Sequence, residues 1–340
     1  MSIHNQNKEL IGSFRMALYD FSEASLTHVI NEIFSENALL KFPFPFETIA
    51  SKKALVTDIY RPLASAFVGL ERRDTIVMAG DSNHDSEWVG CCGYYTGSFE
   101  KPWLDIQPTG HQVSMRFHEF FRIEGGLIVE MQVVWDIPEV MMQAGVWPLS
   151  ISLGREWHVP GPATQDGIIQ SFYDKERSDV SLNTVADMCA SLGNFAEGGV
   201  DAMALEKYWH PQCSWYGPSG IGTARGIKGF RNWHQIPFLN ALPNRVGDTN
   251  KGYLFADADY VGFTAWPGMG MTISQGGWLG IAPANQKITM RSLDFWRVEN
   301  GYIRENWVLI DLLDVYNQIG VDVLGRMKEL NKSRLLNFEH

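Results

Sequence analysis

Trp103-Leu104-Asp105-Ile106-Gln107-Pro108 is answered, 175 positions later, by Trp278-Leu279-Gly280-Ile281-Ala282-Pro283. The same offset of 175 joins Met115-Arg116 to Met290-Arg291, and Gln143-Ala144-Gly145-Val146 to Gln318-Ile319-Gly320-Val321. Between them it joins Phe120-Phe121-Arg122-Ile123-Glu124-Gly125-Gly126 to Phe295-Trp296-Arg297-Val298-Glu299-Asn300-Gly301. From Trp103 to Val146 no gap is needed, and 18 of the 44 pairs are identical. Two unrelated amphipathic segments do not hold one register for that length. The chain is a tandem duplication.

Outward from that stretch, Pro62 and Pro237 keep the same register. A length of 340 residues suits two domains. A domain of roughly 150 residues buries about 70% of its unfolded surface, so each half can build its own core. We divide the chain into residues 1–156 and 157–340. Trp157-His158-Val159-Pro160-Gly161-Pro162 forms the connection, where two prolines and a glycine interrupt regular structure.

Apolar spacing predicts helices over 8–20, 25–35 and 51–68, then strands over 75–79, 88–99, 113–124 and 127–136, and a short helix over 138–144. Gly125-Gly126 reads as a tight hairpin turn. The second copy predicts helices over 167–176, 182–197, 201–209 and 227–242, and strands over 253–255, 260–265, 272–281, 288–299 and 302–311. An added amphipathic helix is expected over 321–336. Helices followed by an antiparallel meander give an α+β fold class, with helices packed on one face of each curved sheet.

The net charge of −11 argues against nucleic acid and anionic membranes as partners. No run reaches the roughly 20 apolar residues of a membrane span, and the polar N-terminus carries no signal stretch. A cytoplasmic protein is expected. The four cysteines form no C-x-x-C and are expected as reduced thiols. No histidine or acidic spacing suits a metal, and no glycine-rich phosphate loop opens a helix.

The duplicated segments also carry motifs. Copy one has Pro108-Thr109-Gly110, Val113, Arg116, Phe121-Arg122, Ile128-Val129-Glu130, Asp136 and Gln143-Ala144-Gly145. Copy two has Trp278-Leu279-Gly280-Ile281, Arg291, Asp294, Arg297, Gly301, Glu305, Asp311 and Gln318-Ile319-Gly320. Each copy resembles the SnoaL-like polyketide cyclases of the nuclear transport factor 2-like superfold. The resemblance implies two cone-like domains, each enclosing an apolar pocket, and cofactor-free chemistry. In the cyclases a carboxylate on the last strand acts as general acid/base beside a histidine on the preceding strand. Here those positions fall on His118 and Gln132, and Gln cannot exchange a proton near neutrality.

Asp136, on the same strand face as Gln132, could supply the carboxylate. Asp136 and Asp311 could instead cap the helices that follow them. His118, Asp136 and Gln132 are therefore the catalytic candidates. Leu293 stands at the position of His118, and Trp307 at that of Gln132, so these differing positions are where function is expected to diverge. Candidates for substrate contact are Tyr95, Trp88, Trp135, Trp147 and Arg116 in copy one, and Tyr216, His234, Trp307 and Asp311 in copy two. Trp209, Trp215, Trp233 and Trp266 could line a second pocket.

The expected function is cyclisation, isomerisation or dehydration of a small apolar carbonyl compound. A binding protein without turnover, or an epoxide-hydrolase-like site using Arg116 and Asp136, are the alternatives. The copies are expected to pair within the chain, and the fused chain to form a homodimer.

Overall fold

The computed structural model describes residues 2–247 and 251–335. Each copy builds one sheet. The first contains β1 (Phe34–Lys41), β2 (Thr48–Ile49), β3 (Phe67–Asp81), β4 (Glu87–Phe99), β5 (Gln112–Glu124) and β6 (Leu127–Trp135), in the order β2-β1-β6-β5-β4-β3. The second contains β7 (Trp209–Tyr216), β8 (Thr223–Arg225), β9 (Val246–Gly247), β10 (Tyr253–Asp257), β11 (Tyr260–Thr272), β12 (Lys287–Glu299) and β13 (Tyr302–Ile310). Its order is β10-β11-β12-β13-β7-β8, with β9 also on β11. The pairs β1/β6 and β7/β13 are parallel; the other pairs are antiparallel. The α+β class and the cone-like sheets follow the sequence reading.

Helices close the inner face of each sheet. Ile3–Tyr19 is capped by the Ser2 hydroxyl, which accepts from the Asn5 amide, and buries Ile11, Phe14 and Leu18. Lys175–Leu192 is capped by Asp174 and buries Val185 and Met188. Such caps satisfy amides that the first helical turn leaves without partners.

Several expected elements differ. Phe34–Lys41 and Trp209–Tyr216 are strands, because parallel pairing to the last strand of each copy overrides their weak local pattern. Residues 167–174 form no helix; Gly167 and Ile169 instead hydrogen-bond to Val77. β11 ends at Thr272, and Trp278 and Ile281 then exchange backbone hydrogen bonds in a tight turn, as Trp103 and Ile106 do in copy one. The last helix runs Val323–Leu335, and position 336 lies outside the described residues.

The outer faces of the two sheets pack on each other. Phe120 stacks on Phe295, its counterpart at the offset of 175, at 4.8 Å and 25°. Around this contact a separate apolar cluster forms from both copies, including Trp88, Tyr216, Leu293 and Trp307. The connecting segment runs across it: the Val159 amide donates to the Tyr94 hydroxyl, and the Trp307 indole donates to the Pro160 carbonyl.

Candidate functional site

The two cone interiors differ although their strands coincide. In copy one Glu119 points inward from β5. Its carboxylate accepts from Arg72 at 2.5 Å, from the Tyr95 hydroxyl at 2.9 Å and from the Trp135 indole at 3.1 Å. Arg72 also pairs with Asp74 at 3.0 Å and lies over the Phe117 ring at 4.2 Å. Tyr60 packs edge-on against Phe14, Tyr95 and Trp135. This interior is a filled aromatic core around a neutralised charge.

The same offset empties copy two. Phe14 becomes Cys189, Tyr60 becomes Gln235, Arg72 becomes Gly247, Phe117 becomes Ser292 and Trp135 becomes Ile310. All five replacements are smaller, and all five line a cavity of about 450 Å³. That volume lies within the roughly 300–1,000 Å³ typical of small-molecule sites. Glu119 becomes Asp294, so the acid is kept while its arginine is lost.

Asp294 receives one hydrogen bond, from the Ser292 hydroxyl at 3.0 Å, and its Oδ1 has no partner. Burial pushes its pKa up to about 8; the Ser292 hydroxyl opposes this, and no cation offsets it. Burial, with the Asp294 charge, also pushes the Cys189 thiol up to about 12, which keeps it protonated. Three more polar atoms in the walls lack partners: Trp209 Nε1, Trp296 Nε1 and Gln235 Oε1. Buried polar atoms are rarely left unpaired, so four around one cavity mark a place prepared for a polar guest.

One wall is aromatic. His234 stacks on Trp215 at 3.8 Å and 16°, and lies nearly parallel to Phe230 and Phe238. His234 and Gln235 sit on the π-helical turn Arg231–Gln235, just before Pro237. Proline has no amide hydrogen to close the regular bond, and the widened turn turns these side chains inward. Copy one has the same turn, Leu55–Tyr60, before Pro62. Burial, reinforced by Arg245, lowers His234 to about 3, so it is neutral.

The family described as SnoaL-like polyketide cyclase matches residues 81–144 and 194–319, more than half of the chain and one segment in each copy. This chain belongs to the SnoaL-like polyketide cyclase family. Among solved structures, a candidate SnoaL-like polyketide cyclase from Jannaschia sp. CCS1 is 20% identical, with 42% of this chain and 93% of that chain covered and a TM-score of 0.36. TsrD from Streptomyces laurentii is 18% identical, with 43% and 98% covered and a TM-score of 0.35. An NTF2-like protein from Burkholderia thailandensis E264 is 18% identical, with 42% and 98% covered and a TM-score of 0.33. No curated protein matches the sequence.

His118 and Gln132 lie on the sheet face that the other copy covers, not on the face that lines a cone. His118 is fully buried between the copies, with Nδ1 2.6 Å from the Leu293 carbonyl oxygen. Gln132 does not lie opposite it: a bulge at Arg122/Ile123 shifts the hairpin, so His118 pairs with Val134 and Gln132 with Phe120. In copy two Trp307 likewise lies opposite Phe295, and Leu293 opposite Leu309. Gln132 Oε1 accepts from Thr264 of the other copy at 2.6 Å. Asp136 caps the helix Ile137–Gln143 and accepts from the Ser219 amide at 2.9 Å. Arg116 donates to the carbonyls of Tyr216, Gly217 and Val308, and lies 3.8 Å from Asp136. The Arg116/Asp136 hint of hydrolase chemistry therefore lies at the contact between copies, where the gap is only about 10 Å³.

Of the substrate-contact candidates, only His234 lines the copy-two cavity. Tyr95 and Trp135 belong to the filled core of copy one. Trp88, Tyr216 and Trp307 belong to the cluster between the copies, and Asp311 caps the helix Leu312–Gln318. The Trp147 indole donates to the Ser150 carbonyl. Trp209 and Trp215 do line the cavity, whereas Trp233 is 53% exposed and Trp266 packs on the cluster between the copies. The sequence reading placed Asp294 in a family motif but gave it no role. Comparing inward positions at the offset of 175, rather than outward ones, would have found it. Among the described residues no set of three or more His, Cys, Asp or Glu is placed to hold a metal ion.

Proposed function

We propose that the second copy does the chemistry. Its cavity takes a small, largely apolar carbonyl compound, and Asp294 moves a proton beside the carbonyl, in an isomerisation, aldol-type cyclisation or dehydration. The observation that carries this reading is Asp294 itself: an unpaired carboxyl in a hollow cone, with a pKa raised to about 8. A base of that pKa is well matched to abstraction of a proton next to a carbonyl near neutral pH. The carboxylate takes the α-proton and the electron pair moves onto the carbonyl oxygen. The carboxylic acid then returns the proton to the α-carbon in simple exchange, to the γ-carbon of an unsaturated ketone in isomerisation, to the new alkoxide after aldol closure, or to the departing hydroxide in dehydration. The unpartnered indole N–H groups of Trp209 and Trp296 are donors available to the developing oxyanion.

The test is deuterium exchange at the α-carbon of flat aryl ketones, α-tetralone first, followed by proton NMR in heavy water. The wild type should exchange, and Asp294→Asn should lose roughly 100-fold or more of the rate. An Asp294→Asn protein exchanging as fast as the wild type would remove Asp294 from the reaction. Tight ketone binding without exchange in the wild type would assign the cavity to binding alone.

A further inference from the structure

Arg245 is the cation of the copy-two cavity, and nothing in the described structure neutralises it. It lies in the cavity wall, half-buried, just before β9. One amino group donates to the Leu192 carbonyl at 2.9 Å. The guanidinium sits 5.7 Å from the Phe195 ring centre and 5.9 Å from that of Phe238. Among the described residues no carboxylate lies within ion-pair distance of it. Three buried or half-buried arginines elsewhere in the sheets do have carboxylate partners: Arg72 with Glu119, Arg291 with Asp311, and Arg297 with Glu305. Burying an uncompensated charge is costly, so an arginine kept this way calls for an incoming anion.

The remaining walls fit the same guest. His234 is neutral, and about a tenth or less of Asp294 is ionised at pH 7 given its value of about 8. The described walls therefore carry one positive charge and almost no negative charge. Trp215, Phe230, His234 and Phe238 line the same cavity, His234 stacking on Trp215 at 3.8 Å, and make this wall largely apolar. A guanidinium with donors to spare matches the planar, two-oxygen geometry of a carboxylate.

We infer that the ligand of the copy-two cavity carries a carboxylate on an apolar body, and that Arg245 anchors that carboxylate. The inference deepens the proposed function by naming the substrate class of the same cavity. It concerns binding, however, and can stand or fall without turnover.

The experiment is equilibrium binding to the full chain by calorimetry, using 2-naphthoate, methyl 2-naphthoate and 2-naphthyl phosphate. The acid should bind at least ten-fold more tightly than its methyl ester in the wild type and equally so in Asp294→Asn. In Arg245→Met the acid's advantage should fall below two-fold while the ester's affinity stays within about three-fold. If Arg245→Met does not fold, Arg245→Lys and the salt dependence of the wild type replace it: lysine should keep a weaker preference, and the advantage should shrink with added salt. The inference is overturned if the acid does not bind, if ester and acid bind alike in the wild type, or if a folded Arg245→Met keeps the preference. Tighter binding of the phosphate than of the carboxylate would also overturn it as stated. Loss of exchange chemistry with the preference intact would count against the proposed reaction and leave this inference standing.

Discussion

His118 donates from Nδ1 to the carbonyl oxygen of Leu293, the residue at its own position in the other copy, at 2.6 Å. Equivalent residues meeting each other define the pseudo-twofold relation of the two copies. The same relation appears further out. Asp136 accepts from the Ser219 amide, and Asp311 accepts from the Phe44 amide at 2.9 Å, with Phe44 and Ser219 themselves related by the offset. The aspartates shared by the copies thus cap a helix and clasp the opposite copy at once. Asp311 is pushed up to about 7 by that burial.

From this contact we expect His118→Leu to cost stability and spare turnover. The variant leaves the Leu293 carbonyl without its donor, which costs about 1–3 kcal/mol. Burial, reinforced by Arg116, holds the His118 pKa well below its usual value. The unfolded chain binds a proton there below about pH 6.5 while the folded chain does not, so the native histidine loses stability as pH falls. The stability gap between wild type and variant, measured by urea unfolding, should therefore be largest at pH 7–8 and shrink toward pH 5. A folded variant that loses turnover would return His118 to the chemistry.

Glu119 and Asp294 occupy one position in two copies and should respond oppositely to neutralisation. Glu119→Gln removes one of the two carboxylates that neutralise Arg72 in a closed core, leaving Asp74, and should cost about 1–3 kcal/mol. Asp294→Asn removes an unpaired buried carboxyl and should raise the melting temperature. The size of the gain depends on pH. The folded pKa of about 8 lies above the unfolded value, so the wild type loses stability as pH rises from about 4 to 8. The gain from Asp294→Asn should be slight near pH 4 and greatest above pH 8. Destabilisation at every pH would show that the acid is structurally paired.

Asp136→Ala should lose a cap and the clasp on Ser219 together, about 1–3 kcal/mol, without slowing any reaction of the copy-two cavity. Thermal unfolding and the exchange assay separate the two effects. Slower exchange in a folded Asp136→Ala protein would tie the contact between copies to the cavity.

Much of the architecture was legible because periodicity and the repeat are properties of local sequence. β4, β5, β6 and the helix after Asp136 lie close to where the pattern puts them, whereas β3 begins at Phe67, well before the expected 75, inside the segment read as helix. β1 and β7 were not legible, since their strand state comes from parallel pairing to residues nearly 100 positions away. The site was half legible. Alternation separates two faces of a strand but does not say which one faces the cone. His118 and Gln132 alternate on the face that the other copy covers, and Glu119 and Asp294 on the face that looks inward. The bulge at Arg122 further shifted which residues stand opposite each other, and a hairpin turn read alone does not reveal a bulge.

The pH dependence of exchange is the sharpest check on Asp294. If its carboxylate is the base, the rate for free enzyme should rise about ten-fold per pH unit at low pH and level off above about 8. His234, lowered to about 3, contributes no inflection between pH 5 and 9, and Cys189 and Cys213, raised to about 12 and about 11, contribute none either. Asp294 should therefore account for a single inflection. Replacing Ser292 by Ala removes the one hydrogen bond that favours the charged form, so the inflection should move to higher pH. An inflection near pH 4, or one unmoved in Ser292→Ala, would mean that the group titrating in the reaction is not the carboxyl of Asp294.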